Sequence, residues 1–202
     1  SIGDLSNWDI SNVTNAIGMF MHAGVNAKND IIMDFSNWKT DKFAQLFSEN
    51  VQNSNIFYGA WQNAKTVKLN LSNWNLNNVT TPTKYYCGIF ENLGRNSEKV
   101  IINVSNWSIQ NISNIGSMFS GVGEKATTFE IIGLAAWDTS NVTNMSSVFY
   151  RAGASATTWS IGALSNWNTS KVTNMSSMFS SAGENATTFN LDLSNWDTSS
   201  VT

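Results

Sequence analysis

Seven tryptophans, Trp8, Trp38, Trp74, Trp107, Trp137, Trp167 and Trp196, mark a change of rhythm along the chain. Ahead of them apolar and polar residues alternate. Ile31, Met33 and Phe35 do so before Trp38, as do Val67, Leu69 and Leu71 before Trp74. Val100, Ile102 and Val104 repeat the pattern before Trp107, and Phe189, Leu191 and Leu193 before Trp196. A period of two predicts a strand with one buried face. Before Trp137 the phase slips at Ile131-Ile132, which predicts a bulge. After each Trp the period lengthens. Val142, Met145, Val148 and Phe149 fall five, eight, eleven and twelve residues after Trp137, and Val172, Met175, Met178 and Phe179 do the same after Trp167. Steps of three, three and one predict a short helix or 3-10 turn, with Thr143 or Asn144 and Thr173 or Asn174 as N-caps. Gly24, Gly94, Gly123, Gly153 and Gly183 stand four residues after a Phe and read as helix stops.

The tryptophans are 30, 36, 33, 30, 30 and 29 residues apart, so the elements recur as a repeat. Six of them follow Ser-Asn; Trp137 follows Ala-Ala. Leu46-Phe47 reads as the helical pair of the second unit, three residues early, and Ile89-Phe90 as that of the third, four late. A strand and a helix in turn imply parallel strands, because each crossover returns the chain to the same side. The expected fold is an α/β solenoid. It would be a leucine-rich-repeat-like right-handed coil with a parallel sheet and short helices or 3-10 turns. Six to seven repeats would fill residues 1–202 as one array. One unit cannot bury its apolar face alone, so stacked units bury it on each other and near-identical sequence gives near-identical packing.

The string "LSNWDTSxVTNMSSMFSxAGxxATTF", followed most closely from Leu134 to Phe149 and from Leu164 to Thr202 and with WDTSNVTNM as its specific core, resembles the roughly 26-residue surface-protein repeat of mycoplasma lipoproteins and Firmicute cell-wall proteins, with BspA-like leucine-rich repeats as relatives. The resemblance covers nearly the whole chain and weakens between Lys39 and Lys99. It implies a solenoid on a bacterial surface, with adhesion and host contact as the suggested role. It carries over no catalytic residues.

Composition narrows the function. Only 12% of the 202 residues are charged and the net charge is −3, with no Lys/Arg cluster of the kind nucleic acid or an anionic membrane requires. No apolar run approaches the ~20 residues of a membrane span. Cys87 is the single cysteine, so neither an internal disulfide nor a Cys-based metal site is expected. No signal peptide opens the chain and neither end shows a polar capping unit, so a segment of a longer protein is expected. Uncapped ends would also allow end-to-end self-association.

The Trp column reads as an internal spine, since large aromatics at a repeated position dominate packing. Trp159 replaces Phe129 and Phe189 and reads as core. Trp61, in the irregular "IFYGAWQN", reads as an exposed binding candidate together with Tyr58. The Asn before each Trp reads as a corner residue, its amide forming a ladder between coils. Asp9, Asp138 and Asp197 share a column with Lys39, Asn75 and Asn168, which points to turn chemistry rather than catalysis. Four residues before Trp stand Asp4, Asp34, Asn70, Asn103, Gly133, Ala163 and Asp192. This column is expected to line the open sheet face, so Asp4, Asp34, Asn70, Asn103 and Asp192 are binding candidates. His22 is the single histidine and reads as a surface residue; no nucleophile–base set or HExxH can be built around it. The expectation is a non-enzymatic, extracellular cell-surface module without cofactor, binding protein or glycan. The alternative is a structural spacer or filament subunit.

Overall fold

A computed structural model describes residues 4–47, 55–81 and 87–202. The chain forms a parallel-strand β-solenoid. Its sheet holds five strands in sequence order: β1 (Ile31–Asp34), β2 (Thr66–Asn70), β3 (Lys99–Asn103), β4 (Thr128–Ile132) and β5 (Thr158–Ser160). Every neighbouring pair is parallel. Five strands make about four turns of the coil, so the sheet does not confirm the six to seven repeats expected. The inward rows are aliphatic and aromatic: Ile31, Val67, Val100, Phe129 and Trp159 align across the sheet, as do Met33, Leu69, Ile102 and Ile131. The expected bulge is absent. Ile131 and Ile132 stay in register with Ile102 and Asn103, and the extra residue is taken up at Gly133 (φ 104°) and the 3-10 turn Leu134–Ala136. This shifts the outward column by one, so that Ile132, not Gly133, aligns with Asn103.

That 3-10 turn is the one helical element among the described residues, so the α/β, leucine-rich-repeat-like label does not hold. The segments expected to be helical are runs of overlapping turns. In Ile115–Ala126 the N–H groups of Met118, Ser120 and Val122 close turns onto Ile115, Ser117 and Phe119. Those of Ser117, Phe119 and Gly121 instead donate to Ser146, Val148 and Tyr150 of the next coil. A helix would keep all of these bonds local. Ser117, Gly121 and Gly123 adopt positive φ (58°, 65° and 53°), which no α-helix tolerates. Ser, Asn and Gly have low helix propensity, so pairing with an equivalent neighbouring coil wins. Asn144 and Asn174 accept from Ser146 N and Ser176 N as Asx turns rather than helix N-caps.

Two aromatic ladders run through the core. The seven anchor tryptophans stack in order from Trp8 to Trp196, with ring centroids 5.7–6.4 Å apart and planes within 10°. A buried indole N–H needs an acceptor. Each finds the carbonyl three residues before the preceding tryptophan: Trp38 to Leu5, Trp74 to Phe35, Trp107 to Leu71, Trp137 to Val104, Trp167 to Leu134 and Trp196 to Leu164, at 2.7–3.3 Å. The second ladder is Phe20, Phe57, Phe90, Phe119, Phe149 and Phe179, with centroids 5.3–5.7 Å apart. Phe57 therefore represents the second unit, not Phe47, which is buried elsewhere in the core. The separation from Trp to Phe is 12 residues from Trp8 to Phe20, 19 from Trp38 to Phe57 and 16 from Trp74 to Phe90, and both stacks run on across this variation.

Candidate functional site

The register defines the outer face of the sheet. One outward row reads Ile32, Lys68, Ile101, Glu130 and Ser160; the next reads Asp34, Asn70, Asn103 and Ile132. A shallow trough of about 690 Å³ lies over these rows. Asp4, Asp34, Asn70 and Asn103, four of the residues expected to bind, line it together. Ile32, Lys68, Ile101 and Ile132 line it beside them, over a floor that includes Leu5, Met33, Phe35 and Leu69. Ile32 is 69% exposed and Ile132 40%, high values for aliphatic side chains in a strand. Sequence reasoning missed this aliphatic part. The signal was present in "IIMD", "KVII" and "FEII", where the outward position of an alternating strand holds Ile instead of a polar residue.

The polar part of the trough is built by the corner that follows each strand. Asp4, Asp34, Asn70 and Asn103 each accept the backbone N–H two residues on, from Ser6, Ser36, Ser72 and Ser105, at 2.9–3.3 Å. These Asx turns swing the chain from strand towards Trp. The side chains also bond across coils: Asn103 Nδ2 donates to Asn70 Oδ1, and Asn70 Nδ2 to Asp34 Oδ1, both at 3.1 Å. Hydrogen bonds from Ser6 hold the Asp4 carboxyl below the usual carboxylate range, and those from Ser36 do the same for Asp34. Both stay charged well into acid.

Three expected site residues lie elsewhere. Asp192, in the final coil, makes the same turn with Ser194 (3.0 Å) and lies outside the trough. Tyr58 is half-buried in the turn segment, its ring set edge-on to His22 at 5.3 Å. Trp61 is fully buried, which overturns the exposed reading. It occupies the position that Gly24, Gly94, Gly123, Gly153 and Gly183 hold in other coils, with the same left-handed backbone (φ 49°). Its indole fills the space in front of Gly24, as the Phe129 and Trp159 rings do in front of Gly153. Trp61 Nε1 has no partner. It borders a smaller cavity of about 250 Å³ beside β1.

The Asn before each Trp ladders at one described step only, Asn106 Nδ2 to Asn73 Oδ1 at 3.1 Å. Asp9, Asp138 and Asp197 accept from the N–H groups of Ser11, Ser140 and Ser199, the turn chemistry expected of them. Among the described residues no helix is long and apolar enough to cross a membrane. No curated protein and no solved structure matches the chain. One family model does, in three overlapping stretches covering residues 2–93, 44–159 and 122–202. The chain accordingly belongs to the family described as "Mycoplasma protein of unknown function, DUF285".

Proposed function

We propose that this chain is a non-enzymatic repeat module of a bacterial cell surface, displayed outside the cell, that binds a host or neighbouring-cell protein or glycan through the outer face of its sheet. The observation carrying the reading is the trough of about 690 Å³, where exposed Ile32 and Ile132 stand beside the Asp34, Asn70 and Asn103 ladder. A solvated face has no need of aliphatic side chains, whereas a docking face does. Asp4 and Asp34 suit a holding role. Carboxyls kept below their ordinary range are weak bases at neutral pH and are not acids there, which disfavours proton-transfer chemistry. The test is binding of the purified chain to cultured host cells, to neighbouring bacteria, and to arrays of extracellular proteins and glycans. Saturable binding to one of these is expected. Binding to none of them would overturn the reading.

The continuous stacks favour a second reading, a stiff spacer or filament subunit. Trp8 to Trp196 and Phe20 to Phe179 form uninterrupted aromatic columns along the axis. Light scattering over a concentration series separates the two readings. Rods that lengthen with concentration favour the filament, and a discrete monomer favours the binding module.

A further inference from the structure

We propose that the trough docks an extended peptide segment of a partner protein, laid across the strands along the solenoid axis, with a basic side chain on Asp4 and Asp34 and an aliphatic side chain on Ile101 and Ile132. This deepens the binding reading above and rests on it, committing that face to a protein rather than a glycan.

Three observations lead there. The first is the character of the lining. Sugars are recognised chiefly by stacking on exposed aromatic rings. The exposed apolar groups of this trough are Ile32 and Ile132, with half-buried Ile101 between them in chain order, and its one aromatic, Phe35, is fully buried. Aliphatic side chains on a partner match such a surface; a pyranose ring does not.

The second is the order of charge along the axis. Asp4 and Asp34 lie at one end. Lys68 follows one strand later, in the row of Ile32 and Ile101, and the row of Asp34 runs on through two amides to Ile132. Along the row of Asp34, which with Asp4 forms one side of the trough, the surface runs from carboxylates at the β1 end to Ile132 at the β4 end; the neighbouring row runs from Ile32 on β1 to Glu130 on β4, the latter outside the trough. A ligand that complements the row of Asp34 is cationic at one end and apolar at the other. Each carboxylate keeps its charge because Ser6 and Ser36 donate to it, and neither has a cationic partner within the trough.

The third is spacing. Neighbouring strands are about 4.8 Å apart, so β1 to β4 spans roughly 14 Å. An extended chain rises about 3.3 Å per residue and covers that distance in about four residues. Between the ends, Asn70 and Asn103 each spend one amide N–H on the ladder and keep a second, which can donate to peptide carbonyls. The matching segment therefore carries Lys or Arg about four residues from Leu, Ile or Val.

The experiment uses a phage-displayed library of random dodecapeptides panned against the chain, followed by fluorescence anisotropy of synthetic copies of the enriched peptides. Neighbouring coils supply two variants suited to the fold. Asp4→Asn with Asp34→Asn removes both charges and keeps the turn acceptor, since Asn already fills this column at Asn70 and Asn103. Ile101→Lys with Ile132→Asn places residues that Lys68 and Asn103 show the same rows accept. Unchanged circular dichroism establishes that the variants fold. Expected are enriched peptides with the basic–aliphatic spacing, binding that weakens with added salt, and a loss of about tenfold in affinity with the charge variant, as for two exposed ion pairs removed together. The inference is overturned if no peptide is enriched, if the enriched peptides are acidic or aromatic, or if both variants bind them as the parent does. The same variants are tested on cells and arrays. Binding that survives both variants leaves the surface-module reading standing and removes the trough from it. Glycan binding lost in the variants would make the trough a sugar site and refute the peptide. Binding by neither parent nor variant refutes the broader reading as well.

Discussion

Replacing Trp107 by Phe removes one indole N–H from the middle of the ladder while keeping an aromatic ring there. Trp107 is buried, lies between Trp74 at 5.8 Å and Trp137 at 5.7 Å, and donates to Leu71 O at 2.7 Å. A Phe ring still stacks with both neighbours but cannot reach the carbonyl. Leaving a buried acceptor without its donor costs about 1–3 kcal/mol. The smaller ring leaves a partial void worth about another 1 kcal/mol. The expected loss is therefore about 2–4 kcal/mol. The control is Trp8→Phe. Trp8 is 54% exposed and, among the described residues, stacks on one anchor tryptophan and has no indole hydrogen bond, so its loss is at most about 0.5 kcal/mol. Urea unfolding followed by far-ultraviolet circular dichroism gives both values from the midpoint and slope. A Trp107→Phe variant costing under about 0.5 kcal/mol, or no more than Trp8→Phe, would show that the indole bonds do not hold the coils in register.

The glycine column gives a second contrast. Gly153→Ala puts a Cβ 2.6 Å from the Phe129 ring at φ 55°, whereas Gly162→Ala at φ 75° meets open space. Thermal melts should show at least about 2 kcal/mol lost in the first and about 1 kcal/mol in the second; equal losses would mean that the close approach does not matter. Stability should also depend on pH in two directions. Burial pushes Glu91 up to about 7, above its unfolded value of about 4.3, so its contribution is fully present below pH ~4 and lost as pH rises through 7. Glu91→Gln should thus gain about 2–3 kcal/mol over the parent at pH 8 and nothing at pH 4, and equal stability of the two at pH 8 would refute it. Asp34 and Asp138 are held below their ordinary range by Ser36 and Ser140, so their stabilisation is present above that range and lost as pH falls through the depressed values. Melts of the parent should therefore fall off steeply in strong acid, and Asp34→Asn should flatten that limb. Burial pushes the Cys87 thiol up, so a thiol reagent should modify it only as fast as the chain unfolds; rapid modification of the folded protein would contradict its position.

The strands were legible because alternation is a local property. Val67, Leu69 and Leu71 announce their buried face without reference to any other coil. The Trp spine was legible from the fixed Ser-Asn-Trp corner. The turn segments were misread because Val142, Met145, Val148 and Phe149 have a spacing that suits a helix and a turn ladder equally. The difference lies in which carbonyl each N–H chooses, and that depends on the neighbouring coil. The second unit was misread for a related reason. Leu46-Phe47 looks like the missing pair, but stacking between Phe20 and Phe90 selects Phe57. Trp61 then falls in the glycine column, a place where no local rule puts a tryptophan. The outward position of the column was read correctly in its first four members, which line one trough. At the fifth member it slipped by one residue, to Gly133 in place of Ile132, because the added residue is absorbed at Gly133.

The fold separates two tasks by the direction a side chain points. Inward rows and both ladders must repeat, because each ring is the packing surface of the next; a change there is felt by two neighbours. Outward rows have no such duty. The row Ile32, Lys68, Ile101, Glu130 and Ser160 changes chemical class at nearly every step, on strands whose inward rows remain apolar throughout. The corner Asx residues belong partly to both tasks. They must accept a backbone N–H, which Asp and Asn do equally well, and that leaves charge free to vary. Asp34, Asn70 and Asn103 make the same turn while grading the face from anionic to neutral. Charge on this face can therefore be set coil by coil at little cost to the fold, which is why removing the carboxylates at its β1 end should weaken peptide binding by about tenfold while leaving the solenoid intact.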